Sequence, residues 1–444
     1  MDIDYILISR IGFAITASYH IIFPSLIVGL IFYLTTLEAL WLKTGNEFYR
    51  SQYLFWLKPF TAAFIVAVIT GVGLSFQLDT HFGHFYRTTV DILVPIRHIE
   101  LINSIFLEAG SLGIMLLGMK RVGKKLHFAA TLTMTLGILI SFTCIIARNS
   151  WMQTPDGYGM IDGQLVLTDW FSAIINPSFP YRFMHMLVAG LLATACFVLG
   201  VSAWFLIKQR ELVFSRFNFR IALIVIAILA PLQFIIGDLH GLNTKQYQPM
   251  KIAAIEGLWE TTNGAPLVLF GIPDRNNGIN HASLEIPKLA SIILTHSRNG
   301  PVSGIKDFPE KDWPSISIIF YSFRVMIGLG LLITLVGLVG CYLLFKKRLY
   351  TNLTFQRICV LALPSGFIAT IAGWIVAEAG RQPWVIYELV RTADVVLDIS
   401  SDQAIHSLTL MGIVYGMTCI GFIYALRRIV IKGPELAGYS SVKA

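Results

Sequence analysis

Charged residues are scarce in this chain. They make up only 14% of its 444 residues, against roughly 25% in a typical soluble domain. Thirty-four Lys and Arg and 26 Asp and Glu are too few to coat a soluble globule of this length. The net charge of +8 does not indicate nucleic-acid binding, because the basic residues lie in short segments between apolar runs. The composition therefore excludes a soluble enzyme, a disordered chain and a nucleic-acid binder.

Cysteine is also scarce, and its five occurrences are far apart. The sequence contains no CxxC, which argues against a thiolate zinc site or a redox pair. It contains no CxxCH, which argues against covalent attachment of a c-type haem. The residues Met1–Asp4 carry two acids and no basic group, and the apolar run that follows is too long for a signal peptide. We therefore expect the first run to be a retained membrane span.

Hydrophobic residues, in contrast, make up 55% of the chain, and the mean hydropathy is +0.68. Nine apolar runs are long enough to cross a bilayer with a hydrocarbon core of about 30 Å. They lie at approximately 11–39, 54–77, 93–118, 128–147, 183–207, 219–237, 316–345, 358–379 and 406–426. This pattern predicts an all-α fold, a polytopic helical bundle in the membrane. The chain is therefore divided into three segments: 1–237 with six spans, a long loop at 238–315, and 316–444 with three spans and a tail.

Basic residues predict how the bundle is oriented. The connections after runs one, three, five and seven, together with the tail, hold 18 of the 34 Lys and Arg residues. Such connections face the cytoplasm. We therefore expect the N-terminus and the 238–315 loop outside, the C-terminus inside, and a location in a bacterial cytoplasmic membrane.

Several polar or sulfur-containing side chains lie within the apolar runs, where a charge costs roughly 2.5–3.5 kcal/mol. His20, His185, Met326 and Glu378 all fall toward one half of their runs, and histidine, methionine and carboxylates can ligate haem iron. Each also has a simpler explanation. The histidines could bond to neighbouring helices, Met326 could be packing, and Glu378 could form an ion pair with Arg381, three residues on. Both explanations stay open on local sequence alone.

The third run carries a polar stripe: Glu100, Asn103, Ser104, Glu108 and Ser111. Their spacing predicts one side of an α-helix, with the two carboxylates about 12 Å apart along the axis. Two carboxylates on a serine-lined stripe favour a proton path. The alternative is that Arg97 or other polar groups simply neutralise them.

At these positions the sequence resembles subunit I of the cytochrome bd-type quinol oxidases. Seven segments carry the resemblance, in order along the chain and on matching spans. They are residues 14–24, 100–113, 149–157, 180–186, 251–261, 322–330 and 373–384.

The resemblance implies a role for each of these positions. It implies that His185 and Met326 ligate the iron of a low-spin haem b. His20 and Glu378 match the iron ligands of the other two haems, a high-spin haem b and a haem d, without indicating which takes which. Arg324 and Arg381 match arginines near the haems. Independently of the resemblance, a buried arginine such as Arg324, beside Met326, needs an anion, and a haem propionate is one candidate.

The remaining implied roles concern protons, quinol and partners. Glu100 matches a carboxylate beside the His20-bound haem, and Glu108 and Ser141 match the proton path. Lys251 and Glu256 match quinol-binding residues of the long loop, the Q-loop. The family works with a second multi-span subunit and often with a small single-helix subunit, besides membrane lipid and quinol. Only about 55 residues separate Glu260 from the seventh run, which resembles the short-loop, cyanide-insensitive-oxidase-like branch.

We therefore predict a terminal oxidase that oxidises quinol (ubiquinol or menaquinol) at the outer face, reduces dioxygen to water and generates a proton motive force without pumping. Two alternatives remain. A quinol-linked cytochrome b commonly needs paired histidines 13–14 residues apart on two helices; His84 and His98 are 14 apart, but His84 lies in a polar segment and there is no second pair. A non-redox secondary transporter would use the buried charges for ion coupling, but no inverted repeat is evident.

Overall fold

The computed structural model describes residues 5–397 and 399–435. The acidic segment Met1–Asp4 and the basic residue Lys443, both used in the predictions above, lie outside the described residues. The helices within these ranges are α1 Tyr5–His20, α2 Ile22–Thr44, α3 Glu47–His81, α4 Gly83–Thr88, α5 Leu93–Asn103, α6 Gly110–Leu117, α7 Lys124–Gln153, α8 Trp170–Ile174, α9 Phe179–Ile207, α10 Leu212–Tyr247, α11 Pro249–Glu256, α12 Leu289–Thr295, α13 Ile316–Phe345, α14 Leu353–Leu361, α15 Ser365–Ala379, α16 Thr392–Val395 and α17 Ser401–Lys432.

Strands are few and short, and they lie in the connections between the long helices. They form four antiparallel pairs: β1 Tyr158–Ile161 with β2 Gln164–Leu167, β3 Thr262–Asn263 with β6 Pro301–Val302, β4 Leu267–Asp274 with β5 Ile279–Ile286, and β7 Trp384–Ile386 with β8 Val390–Arg391. The all-α prediction for the membrane part is therefore confirmed.

Nine helical segments of the described chain are long and apolar enough to span a membrane, which confirms the predicted number. Each contains or closely matches one predicted run. They are Tyr5–Thr44, Glu47–His81, Leu93–Leu117, Lys124–Gln153, Trp170–Ile207, Leu212–Tyr247, Ile316–Phe345, Leu353–Ala379 and Asp402–Lys432.

The first span is broken directly after His20. Pro24 lies four residues further on, and proline has no N–H to donate to the carbonyl of residue 20. Helix α1 accordingly ends at His20 and α2 begins at Ile22. The break places the His20 side chain at a helix end, facing α3.

The third span departs from regular α-helix in its middle. The spacing predicted continuous α-helix, but the residues from Ser104 to Ala109 form a π-helix between α5 and α6. Wider π-turns are rare and occur frequently at functional sites. The predicted polar stripe survives, since Asn103, Glu108 and Ser111 are all buried against the rest of the bundle.

Buried polar contacts tie α7 to α2 on the other side of the bundle. Glu38 Oε1 lies 2.5 Å from His127 Nδ1, and Thr131 Oγ1 donates to Glu38 Oε2 at 2.5 Å. Both side chains are fully enclosed. Because a polar group buried in a membrane protein must find its partner inside the protein, these contacts set how α7 packs on α2.

The 238–315 segment is not a simple polar loop. Helix α10 continues to Tyr247, ten residues beyond the predicted end of the sixth run. The segment then contains α11, α12 and the β4–β5 pair, and it has a core of its own that includes Ile252, Trp259 and Ile305. This core also includes Ile316 of α13 and Val376 of α15. The segment is therefore folded onto two spans.

Candidate functional site

His20 has the hydrogen-bonding pattern of a metal-ligating imidazole. Its Nδ1 lies 2.8 Å from Thr70 Oγ1. The Thr70 hydroxyl donates its only proton to the Val66 carbonyl at 2.8 Å, so it accepts the bond from His20 Nδ1–H. Nε2 therefore keeps a free lone pair, as in a ligand whose other nitrogen is fixed by a neighbouring group. A Cβ at Gly71 would lie 3.4 Å from His20 Cε1, so the glycine leaves space beside the ring.

His185 lies in the second turn of α9 and faces α10. The Gln233 side-chain amide donates to the His185 carbonyl at 3.0 Å. A Cβ at Gly237 would lie 3.4 Å from His185 Cε1, and the His240 ring centroid is 5.4 Å from that of His185. Among the described residues, the buried His185 Nδ1 finds no hydrogen-bond partner.

Met326 lies in α13 against α15. A Cβ at Gly373 would come within 2.8 Å of the Met326 sulfur, so the thioether occupies its position only because residue 373 has no side chain. His20, His185 and Met326 thus each have a glycine beside them on a neighbouring helix. These glycines let the three side chains approach the neighbouring helices closely.

Arg324 joins the 238–315 segment to α13. Its Nη1 donates to the carbonyls of Ile255 at 2.7 Å and Phe320 at 2.9 Å, and its Nη2 donates to Val268. The sequence suggested an anion for this guanidinium. Among the described residues, backbone carbonyls accept the hydrogen bonds of both terminal nitrogens of Arg324, while its Nε is buried and has no partner.

Glu378, near the end of α15, is the centre of a buried polar cluster. Its Oε2 accepts from Arg381 Nη2 at 2.6 Å, which is the i,i+3 ion pair considered above. Its Oε1 accepts from Asn149 at 2.8 Å and from Gln153 at 3.3 Å, both on α7. Arg182 of α9 donates to Asn149 Oδ1 at 3.3 Å. Side chains from three spans therefore converge on one carboxylate.

Lys251 reaches this cluster from the long loop. Its Nζ donates to Gln153 Oε1 at 2.6 Å, to the Ala377 carbonyl at 3.1 Å and to Gln248. The side chain is only 2% exposed. Its stem crosses the end of α15 at Gly380, where a Cβ would lie 2.8 Å from Lys251 Cγ. Gln153 contacts both Lys251 and Glu378, so it connects the loop to the cluster.

Positive charge exceeds negative charge in this cluster. Arg182, Lys251 and Arg381 are buried around a single carboxylate, Glu378. Burial lowers the pKa of Lys251 well below its usual value, and the two arginines lower it further while Glu378 opposes them. Among the described residues, Arg182 Nε and two nitrogens of Arg381 lack partners. A buried excess of cations favours an anionic ligand, and the carboxylates of a haem propionate fit such donors.

Glu256, at the end of α11, is poised to exchange a proton near neutral pH. Burial raises its pKa to about 7, with the nearby Arg324 guanidinium acting in the opposite direction. The side chain is 6% exposed, and its Oε2 has no partner among the described residues. A carboxylate with this pKa is suited to act as a general base.

Glu100 pairs with an arginine that the sequence analysis did not consider. Arg148 Nη2 of α7 donates to Glu100 Oε2 at 2.7 Å. Arg97, the partner named in the alternative explanation above, instead lies 3.4 Å from Asp79. The Glu100 carboxylate is therefore held against α7.

Glu108, on the π-helical turn, accepts hydrogen bonds from two neutral side chains, Ser141 of α7 and Asn103 of α5. Ser141 Oγ donates to Glu108 Oε1 at 2.6 Å, and Asn103 Nδ2 donates to the same oxygen at 3.0 Å. Asn103 also donates to the Gly137 carbonyl and to Ser141 at 2.8 Å each. The structure thus brings Glu108 and Ser141 together, and no cation takes part in these contacts.

Sequence reasoning missed several polar residues of the site. They are Thr70, Arg148, Asn149, Gln153, Arg182 and His240. A signal existed for three of them, since Asn149 and Gln153 lie in residues 149–157 and Arg182 lies in residues 180–186, both of which were singled out as segments. The others are polar residues at buried positions, whose partners lie on different helices and are not visible from local spacing.

Comparison with known proteins shows which family this chain belongs to. Residues 8–434 match the family model described as Cytochrome bd terminal oxidase subunit I. The chain belongs to the cytochrome bd terminal oxidase subunit I family. The match covers the described spans almost from the first residue to the last.

Named relatives agree with this membership of the cytochrome bd subunit I family. The Cytochrome bd ubiquinol oxidase subunit 1 of Bacillus subtilis (strain 168) is 30% identical, over 97% of this chain and 94% of the relative. The Cytochrome bd-II ubiquinol oxidase subunit 1 of Escherichia coli (strain K12) is 28% identical, over 97% of each. The bd oxidase structure from Geobacillus thermodenitrificans matches with a TM-score of 0.90 at 28% identity, covering 98% of this chain and 100% of that chain.

Membership confirms the predicted family and the multi-pass helical fold. A cytochrome bd terminal oxidase subunit I is one part of a quinol oxidase that also has a second subunit, and relatives in bacteria indicate a bacterial membrane. The chain therefore functions in a haem-containing terminal quinol oxidase.

Proposed function

We propose that this chain is the three-haem subunit of an electrogenic quinol:dioxygen oxidoreductase in the cytoplasmic membrane. The observation that carries the proposal is the buried cluster around Glu378. It holds an excess of cations with unpartnered nitrogens, and it is bonded through Gln153 to Lys251 of the loop. This arrangement joins a site for an anionic cofactor to a substrate loop, which neither a passive cytochrome b nor an ion-coupled transporter requires.

The residues fit the cofactors that the sequence predicts. His185 and Met326 would hold a low-spin haem b, and His20 and Glu378 would hold the high-spin haem b and haem d. Glycines let the first three side chains lie close to the neighbouring helices, and Arg381, with Arg324 Nε, offers donors for propionates. When bound, the haems supply electron transfer and the site of dioxygen reduction.

Quinol oxidation would take place at the loop. Glu256 accepts a proton from the quinol hydroxyl, because its pKa of about 7 leaves a large fraction ionised at neutral pH. Lys251 acts from within the Glu378 cluster, where it positions the end of α11 against α15. Protons released here leave on the loop side of the membrane.

Protons for water formation would come from the opposite side. Glu108 and Ser141 hold and pass a proton toward Glu100, which Arg148 holds against α7. Uptake on one side and release on the other separates charge without a pump. The partner of this chain is the second subunit. Four further points remain predictions: a small single-helix subunit, the orientation of the termini, membership of the short-loop branch, and the division into three segments.

Purification of the complex tests the proposed function directly. We expect a far-red haem d band, a sharp low-spin haem b band, and oxygen consumption driven by quinol. A haem spectrum without the far-red band would favour the plain cytochrome b, and a protein without haem would favour the transporter.

Glu256→Gln tests the general base. In the unsubstituted enzyme kcat/KM for quinol should rise with pH through about 7, since only the ionised carboxylate accepts a proton. Glutamine cannot ionise, so the variant should lose this pH dependence and at least tenfold in kcat/KM, with the haem spectrum unchanged. Oxygen consumption from an artificial donor that bypasses the loop serves as the control. An unaltered pH profile in the variant would exclude Glu256 as the base.

Thr70→Val tests whether Thr70 orients His20. Valine has the shape of threonine but cannot accept the bond from His20 Nδ1–H, and loss of such outer partners typically costs 10–100-fold in metal affinity. We expect the variant to lose most of the His20-bound haem in haem content and absorbance. Thr70→Ser keeps the hydroxyl and should retain it. Equal haem loss in both variants would point to packing rather than the hydrogen bond.

A further inference from the structure

The β4–β5 pair exposes large apolar side chains although it lies outside the nine spans. Phe270 and Leu284 are directly opposite each other in the strand register, and they are 52% and 61% exposed. Leu269, Ile272 and Ile286 are also exposed. An apolar patch of this kind on a protein surface marks a contact with a membrane or another protein.

Two hydrogen bonds fix the depth of this pair along α13. Tyr321 Oη donates to the Gly271 carbonyl at 3.1 Å, and Arg324 Nη2 donates to the Val268 carbonyl. Tyr321 and Arg324 are five and eight residues from Ile316, where α13 begins. At 1.5 Å per residue the backbone of Tyr321 lies about 7.5 Å inside that end of the helix. The Arg324 guanidinium also bonds to the Phe320 carbonyl, four residues from Ile316, so Val268 lies about 6 Å inside the same end.

The length of helix α13 matches the thickness of a bilayer. Its 30 residues extend about 45 Å, which equals a hydrocarbon core of about 30 Å together with both headgroup regions. Charged residues lie near both ends, at Glu310–Asp312, four residues before the helix begins, and at Lys346–Arg348, directly after it ends. A centred core would begin about 7 Å inside the loop-side end. Gly271 and Val268 therefore lie in the headgroup region, close to the hydrocarbon boundary.

The β4–β5 pair is more polar at its turn than at its open end, which agrees with this depth. The turn carries Asp274, which accepts bonds from the backbones of Asn276 and Asn277. Arg275 of the turn donates to the Glu310 carbonyl at 3.5 Å, before α13 begins. The opposite, open end of the pair begins at Leu267 and ends at Ile286. The turn thus lies nearest to water. The open end, which carries Leu267, Leu284 and Ile286 together with the exposed Glu285, lies deeper, as suits the headgroup region.

The backbone of β4 is bonded on both sides, by β5 and by side chains of α13. Peptide groups in a bilayer must be bonded within the protein, and antiparallel pairing with β5 satisfies many of them. Two carbonyls of β4 accept instead from Tyr321 and Arg324, as described. In β5, Ser283 and Glu285 alternate with Leu284 and Ile286, so one side of this strand is polar and can face the headgroups.

We propose that the open end of the β4–β5 pair is inserted into the headgroup region of the loop-side leaflet, where Phe270 and Leu284 contact lipid molecules. This surface is separate from the Glu378 cluster and from Glu256. The proposal goes beyond the proposed function, which requires only that the loop hold Lys251 and Glu256.

Site-specific photocrosslinking tests the insertion. The photoreactive amino acid p-benzoylphenylalanine would replace Phe270, whose aromatic ring it preserves, in the complete two-subunit complex. The complex would be reconstituted in vesicles of phosphatidylethanolamine and phosphatidylglycerol. After illumination, mass spectrometry should find lipid adducts on the peptide that contains residue 270. The same amino acid at Asn276, in the turn, is the matched control and should give at least tenfold less lipid adduct.

The alternatives are distinguishable outcomes. A crosslink from position 270 to the second subunit, or equal lipid adducts at positions 270 and 276, would overturn the proposal. The photoreactive residue at Leu284 provides a second position, which should repeat the lipid adduct. An unchanged haem spectrum in each variant shows that the complex has assembled, so a missing adduct then counts against insertion.

Discussion

Replacing Glu108 by glutamine is expected to lower quinol-driven oxygen consumption by about 100-fold, the lower end of what general acid–base groups contribute. Glutamine is nearly isosteric and can still accept from Ser141 and Asn103, so the π-helical turn should keep its packing. It cannot carry a titrating proton, so transfer through position 108 stops. The low-spin haem band and the KM for quinol should stay unchanged.

The measurement is oxygen consumption together with voltage generation in reconstituted vesicles. Glu100→Gln is the matched comparison, and it should instead disturb the spectrum of the His20-bound haem, because the resemblance implies that this carboxylate lies beside that haem. Full turnover with normal charge separation in Glu108→Gln would exclude the relay. Haem loss in that variant would favour a structural role for Glu108.

Replacing Met326 by leucine is expected to abolish the sharp reduced band of the low-spin haem while the complex still assembles. Leucine has nearly the volume of methionine, so the packing cost should stay under about 1.5 kcal/mol, but it has no sulfur to ligate iron. Absorbance of the reduced complex measures the band. His185→Ala, which also removes volume, should reduce assembly more strongly.

Gly373→Ala adds a test of geometry at the same site. A Cβ at this position would lie 2.8 Å from the Met326 sulfur, so alanine must displace the thioether. We expect a weakened low-spin band with Met326 still present. Gly328→Ala, on the same helix as Met326 but with open space around it, should leave the band unaltered. An unchanged band in both Met326→Leu and Gly373→Ala would refute Met326 as a ligand.

The membrane part of the fold was predictable because its pattern is long and uniform. A run such as 316–345 contains thirty residues with few charges, and only a spanning helix accommodates it. The structure has α13 at Ile316–Phe345, the same bounds. Local departures were harder to predict. The break after His20 follows from Pro24, but nothing in the spacing of Ser104–Ala109 indicates a π-turn.

The fold of the 238–315 loop could not be predicted from the sequence pattern. Its Gly, Asn and Pro residues indicated a polar outer loop, yet Ile252, Trp259 and Ile305 form a core against two spans. Short strands and helices depend on contacts distant in sequence, so their intrinsic preferences are weak predictors. The exposure and depth of Phe270 became visible only through its neighbours' bonds to α13.

By itself, the sequence determined that this protein is a bundle of nine spans and which rare polar side chains lie within them, because hydrocarbon excludes charge so strongly that each exception stands out. The tertiary structure alone decided the partners of those side chains. It joined Glu100 to Arg148, and it joined Lys251 to Glu378 through Gln153. Residues about 50 to more than 200 positions apart meet only when helices pack, and a buried charge takes whichever donor the packing brings within hydrogen-bond distance.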